Sequence, residues 1–338
     1  MKKEEFYFDS CDGEHKLHGV RYIPEQGEVT CVLQIVHGMA EYVERYEEFA
    51  KFLTDRGVVV TGEDHLGHGK SVDANGIYGY FCKHDPATVV VKDVHRLRKL
   101  TQKLYPKVPY VILGHSMGSF ILRNYLCCYG AGISGAVIMG TGMPASALVK
   151  LSKIIARMQR IVCGERHISK FLDKAVFGNY NKGIAEPRTD FDWLSRNGAS
   201  VDAYIKDPLC GFVFTANGFY TLFELITRVQ KKRNLEKVPK TLPLLMLSGT
   251  ADPVGEYGQG VRRAYRSFRE VGVNDIKLKL YRKGRHELLN ETNKNVVMQD
   301  IYDWMQDAVL LSRIQRSIIA DLHRTMGQQE QEVEEQDE

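Results

Sequence analysis

The sequence contains no run approaching the roughly 18 to 20 consecutive apolar residues that a membrane-spanning helix requires. No apolar segment follows the lysines of the opening Met-Lys-Lys-Glu-Glu-Phe-Tyr-Phe, so nothing reads as a signal peptide and a cytoplasmic protein is expected. Cysteine is scattered, at Cys11, Cys31, Cys82, Cys127, Cys128, Cys163 and Cys210, with no CxxC spacing to suggest a zinc site or a redox pair. Reduced thiols are expected. Internal repeats are missing, and so is any basic block with interleaved aromatics, which argues against nucleic-acid binding. Positive charge is in modest excess, and unevenly so. The net +4 includes six acids and no Lys or Arg in the last twelve residues, and setting that tail aside leaves a body near +10. Residues 327–338 are therefore expected to be a disordered acidic tail.

What is present is the balance of a globular protein with a sizeable core: 338 residues, 43% hydrophobic and 26% charged. Short β-branched runs at Cys31–Val36, Val58–Thr61, Tyr110–Leu113 and Ala136–Met139 alternate with amphipathic stretches at Val43–Asp55 and Val90–Leu104. Such alternation predicts an α/β protein with a mostly parallel central sheet flanked by helices. Glu5–Phe8 and Leu17–Tyr22 read as a leading antiparallel pair. The alternation stops at Thr141 and resumes at Pro243–Gly249, followed by a helix near Val261–Val271, a strand at Ile276–Tyr281 and a helix at Asn293–Trp304.

The expected organisation is a core of residues 1–142 and 241–310, interrupted by a mainly helical cap at 143–240. The cap should cover the sheet's carboxyl edge, where open α/β sheets place ligands. Its aromatics Phe212, Phe214, Phe219 and Tyr220, with His37 from the sheet edge, are candidates for the wall of a substrate pocket. Beyond the core, Leu311, Ile314, Ile318 and Leu322 set an amphipathic helix over 311–326 with Arg313, Arg316 and Arg324 on its polar side. That pattern, with the basic body, raises transient contact with a membrane surface.

The strongest chemical signal is Gly114-His115-Ser116-Met117-Gly118, set between an apolar run and a helical pattern. This is the G-x-S-x-G elbow in the strand-turn-helix context it needs. The glycines at Gly114 and Gly118 leave room for a sharp turn that exposes the serine hydroxyl at a helix N-terminus, where the N–H of Met117 can meet a developing oxyanion. A neutral serine is a weak nucleophile, so a histidine base and an acid are required, in the order Ser, acid, His. Asp252 follows one strand in Ser-Gly-Thr-Ala-Asp252, and His286 follows the last strand in Lys-Gly-Arg-His286. Of the competing acids, Asp275 precedes its strand and Glu287 adjoins the histidine too closely to orient it.

The loop His37-Gly38-Met39-Ala40-Glu41 follows the first parallel strand and offers the N–H of Met39 as second oxyanion donor. His37, His65, His68 and His115 sit at turns and should make structural hydrogen bonds. Asp64-His-Leu-Gly-His-Gly-Lys-Ser71 lacks phosphate-loop spacing and reads as a turn lining the site. No third ligand accompanies His65 and His68, so no metal is assigned, and a serine mechanism calls for no cofactor.

These motifs together resemble the monoacylglycerol lipase and lysophospholipase branch of the α/β-hydrolases, also grouped with serine aminopeptidase-like hydrolases, over about Phe6 to Trp304. The resemblance implies the α/β-hydrolase fold, Ser116 as nucleophile, His286 as base, Asp252 as its orienter, and Met39 and Met117 as oxyanion donors. It implies hydrolysis of carboxylic esters through an acyl-enzyme, with a single-chain lipid or other small ester as substrate. A short-chain carboxylesterase would share every catalytic residue. An S33-type peptidase would use the same triad but needs an acidic grip on an amino terminus, and a non-catalytic binding protein on this fold would be expected to show a broken triad. The cap and the carboxyl-terminal extension depart from the family pattern, which leaves acyl-chain length and oligomeric state undefined.

Overall fold

Strand residues with near-continuous apolar character end up buried on both faces, and this decides the architecture. The computed structural model describes residues 1–74 and 76–311. The helix expected over 311–326, past its first residue, and the acidic tail of 327–338 lie outside the described residues. Eight strands, β1 (Lys2–Asp9), β2 (Lys16–Ile23), β3 (Cys31–Val36), β4 (Val58–Glu63), β5 (Tyr110–His115), β6 (Gly135–Met139), β7 (Leu244–Gly249) and β8 (Ile276–Tyr281), form one sheet. Their order is β1-β2-β4-β3-β5-β6-β7-β8, and from β4 to β8 all pairs are parallel. The expected leading pair is antiparallel and joins the sheet through an antiparallel β2–β4 ladder.

Alternate residues of each central strand supply two separate cores. Val32, Ile112, Ile138 and Met246 face one side, whereas Leu33, Val111, Val137 and Leu245 face the other. Helix α1 (Glu47–Thr54) covers the second side with Phe49 and Leu53. The first side receives α2 (Pro86–Leu104) through Val90, Val94 and Leu97, and α3 (Met117–Tyr129) through Ile121, Leu122 and Tyr125. Edge strand β8, Ile276-Lys-Leu-Lys-Leu-Tyr281, places exposed Lys277 and Lys279 between buried or half-buried apolar residues, which discourages further pairing.

Between β6 and β7 the chain inserts α4 (Ser146–Val162), α5 (Lys170–Phe177), α6 (Gly198–Lys206), α7 (Ala216–Val229) and the short α8 (Lys232–Leu235). The last two helices, α9 (Gln259–Glu270) and α10 (Lys294–Met305), follow β7 and β8. α10 closes the second core through Val297, Ile301 and Trp304. The parallel strands β3, β5, β7 and β8 all deliver their following loops to one edge, beneath the inserted helices. Leu33 is fully buried in the second core, so Leu33→Ala is expected to lower unfolding free energy by about 2–5 kcal/mol, read from the urea midpoint at unchanged m-value.

Candidate active site

Ser116 occupies the turn from β5 into α3 with φ 53° and ψ −119°, a conformation that costs a non-glycine residue about 1–3 kcal/mol. Its own backbone is fastened on both sides. Its N–H donates to Met139 O at 3.0 Å, and its carbonyl accepts from the Ser119 N–H at 2.9 Å and hydroxyl at 2.5 Å. The two elbow glycines are explained by close approach: a Cβ on Gly118 would lie 1.9 Å from Val36 O, and one on Gly114 would lie 2.5 Å from Gly118 O. Helix α3 can therefore start directly against the end of β3, next to the loop that carries Met39. Among the described residues, neither the Met39 nor the Met117 N–H has a hydrogen-bond partner, and neither does the Ser116 hydroxyl. These groups border one cavity.

His286 lies on the same cavity wall, and its Nδ1 meets Asp252 Oδ1 at 3.0 Å. Asp252 is fully buried behind it. Its carboxylate also accepts from the Val254 N–H at 2.9 Å and the Ser248 hydroxyl at 3.3 Å, which fixes its plane. The loops after β7 and β8 interlock to bring these residues together. Ala251 N–H donates to Gly284 O at 2.9 Å, and a Cβ on Gly249 would sit 1.9 Å from that same oxygen. Trp193 from the cap packs its ring 5.1 Å from that of His286, and its carbonyl accepts the His286 N–H at 3.4 Å. Sequence reasoning missed Trp193.

It also missed the buried ion network underneath. Glu41 Oε1 accepts the Gly38 N–H at 2.6 Å and the Tyr46 hydroxyl at 2.9 Å, and meets His115 Nδ1 at 3.2 Å. Its other oxygen accepts from Arg45 at 2.7 Å, and Arg45 in turn grips Glu287 with two bonds of 2.8 Å. Burial alone would raise the Glu41 pKa, but the His115 bond and the Arg45 charge hold it well below the ordinary glutamate range. Burial would likewise lower His115, but the Glu41 carboxylate keeps it raised. His115 Nδ1 also meets the Tyr46 hydroxyl at 3.0 Å, and its Nε2 meets His286 O at 3.3 Å, so the ring joins Glu41 to the loop of His286. Two carboxylates thus share one guanidinium, with the His115 ring alongside. The sequence signal was the Glu41 to Arg45 spacing of four, ordinary in a helical turn.

Several expected positions are corrected. Of the proposed pocket wall, Phe212 borders the cavity, whereas His37, Phe214 and Phe219 are sealed in the interior. Tyr220 stacks under Arg160 at 4.5 Å, beside a separate cleft of about 260 Å³. For Phe219 and Tyr220 the reason is the rotation of α7, whose Leu222, Phe223 and Ile226 face the cavity. The 64–71 turn does not line the cavity either. It supports the Met39 loop from below. His65 N–H donates to His37 Nε2 at 3.0 Å while His37 Nδ1–H donates to Gly38 O at 2.8 Å, so His37 is neutral with a fixed tautomer. Burial lowers the pKa of His37, and it depresses His68 to about 3. Glu287 turns toward Arg45, away from His286, and Asp275 lies at the opposite end of β8.

The cavity has a volume of about 1290 Å³, above the roughly 300–1,000 Å³ of most small-molecule sites. Leu148, Leu151 and Ile155 of α4 and Leu222 and Phe223 of α7 give it an apolar wall.

Known proteins resemble this chain over most of its length. The family profile described as serine aminopeptidase, S33, matches residues 27–293. Monoglyceride lipase of Rattus norvegicus is 27% identical over 90% of each chain. Monoacylglycerol lipase of Mycolicibacterium smegmatis is 27% identical over 81% of this chain and 87% of its own. Among solved structures, a thermostable carboxyl esterase from Bacillus coagulans in complex with glycerol superposes with a TM-score of 0.83 at 28% identity, covering 91% of this chain and 99% of that one.

Removing Arg45 would leave the buried carboxylates of Glu41 and Glu287 without the guanidinium they share. Arg45→Met is expected to lose about 3–5 kcal/mol of stability in denaturant titrations. The triple variant with Glu41→Gln and Glu287→Gln should recover most of it. An Arg45→Met protein as stable as wild type would show that the network does not hold these loops.

Proposed function

Because the chain belongs to the serine aminopeptidase S33 family of hydrolases, we propose that it is a serine ester hydrolase acting on single-chain lipid esters of the monoacylglycerol or lysophospholipid class. The observation that carries this reading is the buried Asp252–His286 bond behind a cavity that also exposes Ser116 on its strained elbow. His286 takes the Ser116 proton as the hydroxyl attacks the ester carbonyl, and the Met39 and Met117 N–H groups receive the oxyanion. His286 then protonates the departing alcohol, leaving an acyl-Ser116. Water repeats the cycle and releases the acid. Asp252 holds the imidazole with Nε2 toward the serine and stabilises its charged form throughout.

The cavity's size and its α4 and α7 wall favour a long acyl chain. A short-chain carboxylesterase is the second reading, supported by the likeness to the Bacillus esterase. All seven cysteines are free thiols, which supports a reducing compartment. Within the described residues no helix is long and apolar enough to cross a membrane. Contact with a lipid surface is supported instead by α4. Its residues Leu148, Leu151, Ile154, Met158 and Ile161 recur at helical spacing and are each more than half exposed. Lys150 and Arg157 lie on the same helix. Since Leu148 and Leu151 also border the cavity, this face would pass an ester from the lipid surface directly into the site.

Ser116→Ala is expected to lower ester turnover by at least about 10⁴-fold. Across a series from acetyl to long-chain monoacylglycerols, kcat/KM should rise with chain length, and a maximum at acetyl or butyryl would assign the short-chain reading. Cosedimentation with anionic vesicles is expected for the wild type and to be lost in the Ile154→Asp, Met158→Asp variant. Retention by that variant would place the contact elsewhere.

A further inference from the structure

Most ionisable groups on the cavity wall are already neutralised. Glu41 and Glu287 share Arg45, Glu256 pairs with Arg263, and Arg188 pairs with Asp202. Lys174 and Asp190 sit at the exposed rim. Asp173 differs. It is half-buried on α5, borders the cavity, and its carboxylate has no hydrogen bond or ion pair among the described residues. Burial raises its pKa with no cation to offset the effect. A carboxylate held partly out of water in this way gains by meeting a positive ligand group.

Its location says which part of an ester would meet it. Asp173 lies one helical turn before Phe177, so the two share a face of α5. Phe177 stacks on Trp193 at 6.0 Å, and Trp193 packs on His286 at 5.1 Å. Tyr180 stands edge-on to Trp193 at 4.9 Å. This wall adjoins the imidazole that hands a proton to the departing alcohol, so the alcohol portion of the ester lies along it. The aromatic faces favour a cation as well.

We propose that Asp173, backed by Phe177, Tyr180 and Trp193, forms a cation-accepting subsite for the alcohol portion of the substrate, so that esters of ammonium-bearing alcohols are bound in preference to uncharged esters of the same shape. The placement of the alcohol rests on the hydrolase reading above. An alcohol portion of net negative charge is correspondingly disfavoured at the same position, which leaves monoacylglycerols and zwitterionic lysophospholipids within the reading above.

The test compares decanoylcholine with its carbon isostere, in which the quaternary nitrogen is replaced by carbon, so that shape is constant and only charge differs. The full-length wild type is expected to favour the cationic ester in kcat/KM by about tenfold. Asp173→Asn should bring that ratio close to one, and Asp173→Glu should restore part of it. The uncleavable decyl ethers of the same two alcohols are titrated by calorimetry against the wild type and Asp173→Asn, and the same ratio should appear in their dissociation constants. Equal binding of both ethers to the wild type, or a preference that survives in Asp173→Asn, overturns the subsite while leaving the hydrolase reading intact. Ether discrimination that depends on Asp173, in a protein that cleaves no ester, retains the subsite and overturns the hydrolase reading.

Discussion

The carboxylate of Glu41 is the constraint on which the site depends, because it bonds its own loop after β3 and the end of β5 and is linked through His115 and Arg45 to the loop after β8. Through the Gly38 N–H it fixes the turn that presents Met39. Through His115 it reaches the residue preceding Ser116, and His115 continues to the carbonyl of His286. Through Arg45 it is tied to Glu287, the residue following His286. A purely apolar filling could pack this volume at similar or greater stability. It could not set the directions of three separate backbones, which hydrogen bonds to charged groups do.

Topology supplies the loops and close backbone approach brings them together. Parallel strands deliver β3, β5, β7 and β8 to the same edge, but the sheet alone would leave side-chain layers between neighbouring turns. Those layers are removed where Gly118 meets Val36 O and where Gly249 meets Gly284 O. The first contact places α3 against the Met39 loop, and the second places Asp252 within reach of His286. At neither glycine is a left-handed backbone the reason. The absent Cβ is.

This division explains what the sequence made legible. Ser116, Asp252 and His286 each stand in a short motif at the end of an apolar strand, so local pattern and chain order were enough to bring them to one edge. The strands themselves were readable because both faces of the sheet are covered, and the two antiparallel leading strands emerged with only their ends shifted. Pairings across the chain were not readable: Arg45 and Glu287 are separated by 242 residues and no local pattern joins them. Side-chain facing within the cap was equally hidden. Phe219, Tyr220, Leu222 and Phe223 are all apolar or aromatic, and only the packing of α7 on the core sends Phe219 inward and Leu222 and Phe223 toward the cavity. Aromatic content identified the right helix and the wrong face.

The cap is anchored unevenly, and the strain in the site shows why. Non-glycine residues with positive φ include Ala40, Ser116 and Lys283, one in each of the loops following β3, β5 and β8. Ser116 and Lys283 are held from within the core, by Met139 and by the Thr250 hydroxyl. Ala40 is held by the cap, since its carbonyl accepts from the Gly211 N–H and the Tyr204 hydroxyl, both at 3.0 Å. The α6 side of the cap is thus part of the framework that keeps Met39 in place, and displacing it would release the strained turn. Helix α4 has no such duty. It buries only Val149 and Ala156 and leaves its remaining apolar residues partly or largely exposed, whereas α7 buries ten residues. The less anchored side of the inserted helices is thus the α4 side, where the apolar wall meets the surface, while the α6 side is bonded to the loop of Met39.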